Sequence, residues 1–359
     1  MQSNSFLLYG ANGYTGELIA RYAYEYNLQP ILAGRRKEVI EPLAIKLNLP
    51  YRIFDINDTA ALQAALKEVR VVIHAAGPFQ FTAKQMIEAC LQTNTHYLDI
   101  NGDIAVFEMI KRYDDAAKKA NIMLLPGAGF DVVPTDCLAL QLKNLLPDAV
   151  ALQLAFATLG GGISHGTATT IANKIGEGGA IRKNGKIIQR PLGEKGMWVE
   201  FSGTSREETK NLFVMSIPWG DISTAFFTTG IPDITTYTGI SKKTFNLLKG
   251  QTLFNWLLRT SMIRNYIKKK INQRPAGPSD EQRSKATSVV WGQVINKAGQ
   301  TATVRLSGPE GYTLTTYSAL IIVKKILDGN FVAGYQTPAS AYGENLVMEI
   351  PGVQREVVS

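Results

Sequence analysis

Gly10, Gly13 and Gly16 follow the apolar run Phe6-Leu7-Leu8-Tyr9 and precede Leu18, Ile19, Tyr22, Ala23 and Tyr26, which recur at helical spacing. Glycines in a strand–turn–helix setting suit a pyrophosphate. The first allows a tight turn, the second lets backbone approach the phosphates, and the third lets helix and strand pack closely. The helix adds unpaired N–H groups and a positive dipole end at its first turn. Asn12, Tyr14 and Thr15 fall within the same turn and helix start and join the glycines as expected contacts. The spacing is G-x-x-G-x-x-G, not the commoner G-x-G-x-x-G. A second apolar run, Pro30-Ile31-Leu32-Ala33, ends in Gly34-Arg35-Arg36. A site for NAD places an acid there for the ribose 2′-hydroxyl. Here two arginines stand in its place, and a guanidinium fork suits the 2′-phosphate of NADP(H).

These residues need strands to hold them at one end of a sheet. Tyr51 to Ile56 reads as a third strand, with Asp55 at its end placed to accept a hydrogen bond from the adenine amino group. Val69 to Ala76 is a fourth, apolar enough to be buried on both faces. It leads into Ala76-Gly77-Pro78, whose small residues leave room for ribose and nicotinamide. Tyr97 to Gly102 and Ile122 to Gly127 supply two more strands, with helices expected over 83–92 and 104–120. Alternation of this kind predicts a doubly wound parallel sheet of the Rossmann type, binding ligand beyond the carboxyl ends of its strands.

After about Asp131 helices no longer separate the strands. Runs at 151–157, 197–201, 212–217, 234–237, 287–295 and 301–306 imply a second α+β domain with a mixed or antiparallel sheet. Tyr312 to Leu327 reads as a helix. The expected division is a nucleotide-binding domain over 1–130, rejoined by 331–359, and a substrate domain over 131–330. Hydride transfer to a C=C, C=O or C=N bond also needs a proton donor. Asp131, Ser164 and His165 are the candidates, each with a plainer reading: turn residue, helix cap and surface side chain.

Other chemistries find no support. His74, His96 and His165 form no local metal spacing, and His74 reads as a hydrogen-bonded core residue. Cys90 and Cys137 are too few for a disulfide framework. No run is long and apolar enough to span a membrane, and the first strand begins too early to leave room for a leader, so the cytoplasm is the expected compartment. The net charge of +8 is not that of a nucleic-acid binder, because it gathers in one segment. There Lys242, Lys243, Lys249, Arg259, Arg264, Lys268, Lys269, Lys270 and Arg274 interleave with Phe254, Trp256, Leu257, Leu258, Met262, Ile263, Tyr266 and Ile267. Such a basic amphipathic segment, 242–274, can rest weakly on an anionic membrane to reach a lipid-like substrate. The favoured reading is a core-facing helix with a solvated basic side.

The chain resembles the saccharopine dehydrogenase-like oxidoreductases, and within them the trans-acting enoyl reductases. The likeness rests on Gly10–Gly16, Ala33–Arg36, Ala76–Phe79, Tyr97–Gly102 and Gly129–Pro134, then on Ser164–Thr167, Thr229–Pro232, Gly277–Ser279, Gly311–Thr315 and Gln336–Ala339. It implies an NADP(H)-binding Rossmann domain and a mixed-sheet domain for substrate binding and homodimer formation. It does not imply saccharopine as the substrate. An NADP(H)-dependent enzyme acting on a small or lipid-like molecule is the main expectation, and a non-catalytic NADP(H)-binding sensor or scaffold is the alternative.

Overall fold

The computed structural model describes residues 4–174, 177–202, 209–249, 260, 269–271, 273 and 275–358. The chain divides into two compact units, Met1–Val133 with Tyr312–Ile350 and Pro134–Gly311 with Pro351–Ser359.

In the first unit, apolar runs make parallel strands, buried on both faces except at the exposed edge strand Tyr51–Ile53, and amphipathic segments make the helices that cover them. The strands are β1 (Ser5–Tyr9), β2 (Gln29–Gly34), β3 (Tyr51–Ile53), β4 (Val71–His74), β5 (His96–Asp99) and β6 (Met123–Leu125). A short return strand, Gly334–Tyr335, pairs in parallel beside β6. Across the sheet the order is return strand, β6, β5, β4, β1, β2, β3. The chain therefore runs outward from β1 to β3, then crosses back to β4 on the other side of β1. That reversal is a topological switch point, where doubly wound sheets take their ligands. Phe6, Leu7 and Leu8 are fully buried at its base. Helices in this unit often end on asparagine: Asn27, Asn48 and Asn94 adopt left-handed φ of 55°, 52° and 55° at helix C-caps, a conformation asparagine tolerates better than most residues.

Two expectations are corrected here. The helix expected over 104–120 breaks into Ile104–Ile110, a turn at Lys111–Tyr113, and Asp114–Lys119. The break puts the Asp114 carboxylate where it accepts the Tyr335 N–H at 2.8 Å, tying down the return strand. The expected boundaries at 130 and 331 also move. Helix Gly311–Leu327 joins the first unit from Tyr312 onward, because its polar face holds the loop after β6. Phe130 N–H donates to Thr315 Oγ1 at 2.9 Å, and Ser318 Oγ donates to the Ala128 carbonyl at 2.7 Å. The segment after Ile350 leaves this unit, since Gln354–Val357 pairs antiparallel with strand Thr301–Pro309 of the other.

The second unit is built on a mixed sheet. Its main path runs Gly196–Ser202, Thr209–Ile217, Asp233–Gly239, Ala151–Leu159, Thr287–Ile295, Thr301–Pro309 and Gln354–Val357. Asp233–Gly239 and Ala151–Leu159 pair in parallel, and the other neighbours on this path are antiparallel. One face carries Ala155, Val199, Phe201, Val214, Tyr237, Val289 and Trp291 as a continuous apolar core. The sheet curls until Arg305 of the next-to-last strand, Thr301–Pro309, meets Glu200 of the end strand Gly196–Ser202. On the opposite face Gly292 leaves room for helix Val133–Leu145, since a Cβ there would fall 2.7 Å from Leu142 and 2.9 Å from Leu138. The hairpin Gly179–Lys183 and Lys186–Arg190 was not expected. Its turn is Asn184-Gly185 with φ of 49° and 73°, the Asn-Gly signal of a tight hairpin.

Candidate functional site

The turn between β1 and helix α1 (Tyr14–Tyr22) is closed by backbone and kept open by glycine. Gly10 N–H donates to the Ala33 carbonyl at 2.8 Å, and Gly13 N–H to the Gly10 carbonyl at 3.0 Å. Gly10 has φ +89°, and a Cβ on it would lie 2.7 Å from the Ala76 nitrogen. On Gly16 a Cβ would lie 2.4 Å from the Gly10 oxygen. No side chain but glycine's fits either place. Gly13 occupies the N-cap of α1 without a capping side chain, so the helix presents its first turn beside the switch point. This is the geometry in which a helix N-terminus accepts an anion.

The end of β2 lies against the same turn. A Cβ on Gly34 would come 3.3 Å from Asn12 Oδ1 and 3.0 Å from Ile40. Arg35 and Arg36 follow with both side chains exposed. Asp55, beyond β3, lies 3.9 Å from Arg35 through Oδ2. Its Oδ1 accepts from Asn57 N–H at 2.9 Å and from Asn57 Nδ2 at 2.7 Å, which fixes the carboxylate. An exposed pair of this kind contributes little to stability, so its arginine stays available to a phosphate. Burial, with the Asp55 charge adding to it, raises the pKa of the nearby Tyr9 phenol.

Across the crevice, β4 ends at His74 and leads into Ala75-Ala76-Gly77-Pro78. Pro78 is the N-cap of helix Phe79–Thr93. His74 is fully buried, and desolvation lowers its pKa to about 3. At the next strand end, buried Asp99 gathers four donors: Tyr97 Oη at 2.6 Å, Asn101 N–H at 3.0 Å, Asn101 Nδ2 at 2.7 Å and Gly127 N–H at 2.9 Å. Burial raises the Asp99 pKa, and these hydrogen bonds act in the opposite direction. The network joins the ends of β5 and β6, which the strand pattern of Tyr97–Gly102 and Ile122–Gly127 does not signal.

The structure thus gathers Gly10, Asn12, Gly13, Tyr14, Thr15, Gly16, Arg35, Arg36, Asp55, Ala76, Gly77 and Pro78 around the strand ends of the first unit. The Tyr14 ring packs edge-on against Tyr312 at 5.0 Å. Asp131 lies in this unit too, with Oδ2 2.7 Å from where a Gly102 Cβ would be. Ser164 and His165 belong to the other unit. Ser164 Oγ accepts from Thr167 N–H at 3.2 Å at the start of helix His165–Lys174. His165, half-buried, donates its backbone N–H to the Ala276 carbonyl at 2.9 Å. Within the basic segment, Phe245 and Leu248 of helix Lys242–Lys249 pack on Phe213 and Met215, leaving Lys242 and Lys243 exposed. Phe254, Trp256, Leu257, Leu258, Arg259, Met262, Ile263, Arg264, Tyr266, Ile267, Lys268 and Arg274 lie outside the described residues.

Sheet order, glycine turn and strand-end loops define a Rossmann-type dinucleotide-binding domain joined to a mixed-sheet unit. Residues 6–125 match the saccharopine dehydrogenase NADP binding domain family, so this domain is an NADP-binding domain of that family. A saccharopine dehydrogenase-like oxidoreductase of Mus musculus is 27% identical over 202 residues, covering 49% of this chain and 47% of that protein. A Mycobacterium tuberculosis protein bearing the name of a trans-acting enoyl reductase is 29% identical over 140 residues, covering 36% of this chain and 33% of its own. The chain thus spans about half or less of the length of these curated relatives. The solved apo saccharopine dehydrogenase (L-Glu forming) of Saccharomyces cerevisiae superposes with a TM-score of 0.67 at 13% identity, covering 99% of this chain and 100% of that one. That likeness shows a shared fold.

Proposed function

We propose that this chain is an NADPH-dependent oxidoreductase that transfers a hydride between the cofactor and a C=C, C=O or C=N bond of a small or lipid-like substrate. One observation carries the reading: the uncapped start of α1 lies at the switch point, and two exposed arginines, with no acid, follow β2. In this reading Gly10, Gly13 and Gly16 admit the pyrophosphate, with Asn12, Tyr14 and Thr15 beside it. Arg35 and Arg36 take the 2′-phosphate, Asp55 takes the adenine amino group, and Ala76, Gly77 and Pro78 border the nicotinamide riboside. NADPH supplies the hydride. The proton for the other atom of the reduced bond comes from Asp131, Ser164 or His165, and Asp131 leads because it shares the glycine turn's unit.

Calorimetry with NADPH and NADH tests the cofactor assignment. Replacing Arg35 and Arg36 with Ala is expected to weaken NADPH by ~2–4 kcal/mol while barely changing NADH. Equal affinity of the unaltered protein for both nucleotides would sink the assignment. NADPH oxidation across enoyl thioesters, keto acids and imines then tests the reaction, and Asp131→Asn tests the donor. Tight NADPH binding with no turnover on any of them would favour a sensor or scaffold. We further place the protein in the cytoplasm as a homodimer, with the basic segment making at most salt-sensitive contact with anionic membranes. Fractionation, light scattering and vesicle flotation at two salt concentrations check these three points.

A further inference from the structure

The geometry points to Thr82, oriented by His74, as a positioning residue that sets the loop after β4 for the nicotinamide half of the dinucleotide. The inference rests on the reading of the first unit as an NADPH site. The switch-point crevice has the glycine turn on one side and Ala75-Ala76-Gly77-Pro78 on the other, in direct contact, since a Gly10 Cβ would lie 2.8 Å from the Ala75 carbonyl carbon. Anything bound at α1 and extending over the sheet must pass this loop.

Thr82 stands one turn into helix Phe79–Thr93 and reaches back to the loop. Its Oγ1 donates to the Ala76 carbonyl at 3.0 Å and lies 2.8 Å from His74 Nε2. A hydroxyl has one proton, and a carbonyl can only accept. With that proton given to Ala76, Oγ1 must accept from His74, which fixes the ring as its Nε2–H tautomer. The result is a directed chain from His74 through Thr82 to Ala76. His74 Nδ1 is then left bare, buried and without a hydrogen-bond partner among the described residues. The ring is enclosed by Phe79 at 5.3 Å, Tyr9 at 5.8 Å and Tyr97 at 6.3 Å. A bare buried nitrogen is destabilising. The three preceding strand residues, Val71, Val72 and Ile73, show that this strand interior accepts aliphatic side chains. What the ring adds is a donor aimed at Thr82. Because burial keeps the ring neutral down to about pH 3, the donor persists across the physiological range.

The experiment compares NADPH with adenosine 2′,5′-bisphosphate, which carries the adenosine and 2′-phosphate but no nicotinamide riboside. Calorimetry is done on the unaltered protein, Thr82→Val, Thr82→Ser and His74→Gln, with thermal unfolding alongside. Thr82→Val keeps the shape and removes the hydroxyl. It is expected to weaken NADPH about fivefold while leaving the bisphosphate within about twofold. Thr82→Ser keeps the hydroxyl and His74→Gln keeps a side-chain N–H, so both are expected to bind NADPH nearly as the unaltered protein does. Equal weakening of both ligands by Thr82→Val, or unchanged NADPH binding, would overturn the positioning role. So would failure of Thr82→Ser, if folded, to restore NADPH binding. Failure of the unaltered protein to bind the bisphosphate would instead remove the NADPH reading itself.

Discussion

A methyl group added at Gly13 or at Gly16 meets the same Gly10 carbonyl oxygen at very different distances, which separates binding from stability at the glycine turn. At Gly16 the added carbon falls 2.4 Å from a backbone oxygen, so the turn itself must move. Gly16→Ala is expected to destabilise the first unit by ~1–3 kcal/mol, in the range of other overpacked sites. At Gly13 the nearest atom is 3.3 Å away and φ is −74°, which alanine adopts without strain. Gly13→Ala is expected to leave the urea midpoint nearly unchanged while weakening NADPH at least tenfold, because the methyl group occupies the phosphate approach. Urea unfolding with calorimetry checks the pair, and the reverse pattern would contradict the cradle. These glycines are legible in sequence because their requirement is local: turn, φ and close packing lie within seven residues. Asp99 is not, since its role depends on Gly127, 28 residues away, and on how the ends of β5 and β6 meet.

At the level of elements, one strand-to-strand link is set to respond to pH. His96 opens β5, and its Nδ1 accepts the Met123 N–H of β6 at 3.0 Å, which only an unprotonated nitrogen can do. Burial, with the Arg70 charge adding to it, lowers the His96 pKa to about 4. The unfolded chain protonates near the ordinary value of 6.5. As pH falls from about 6.5 towards 4, the unfolded state takes up a proton that the folded state refuses, so stability declines. Above that window this group has no effect. His96→Asn keeps an acceptor oxygen and removes the titration, and is expected to lose less stability across the same window. Equal losses for both proteins in urea titrations would show that this link does not govern the response. Strands were the readable elements, since their apolar runs are continuous. Helix ends were less so: the asparagine caps and the Asn184-Gly185 hairpin carry local signals, but the helix break at Lys111–Tyr113 answers to Tyr335, far along the chain.

Over the whole molecule the chain order and the folded units do not coincide, since each unit is made of two separate stretches. Residues 1–133 alone lack the return strand beside β6 and the Thr315 and Ser318 contacts on the loop after it. That fragment is expected to lack fixed tertiary packing. The same residues joined through a flexible linker to 312–350 are expected to unfold cooperatively and to bind NADPH. Near-ultraviolet circular dichroism and urea unfolding distinguish them, and a cooperative fragment 1–133 of equal midpoint would show that the late stretch is dispensable. The sequence did suggest a late return to the first domain but misplaced it, because helix Gly311–Leu327 reveals its allegiance only through side-chain contacts with distant loops. During synthesis this arrangement becomes a matter of time. At ribosomal rates of roughly 5–20 residues per second, the stretch from Val133 to Ile350 takes roughly 10–40 s to emerge. Throughout that interval β6 is a nascent sheet edge awaiting its neighbour, and while it waits a chaperone or a second nascent chain can compete for the same backbone groups.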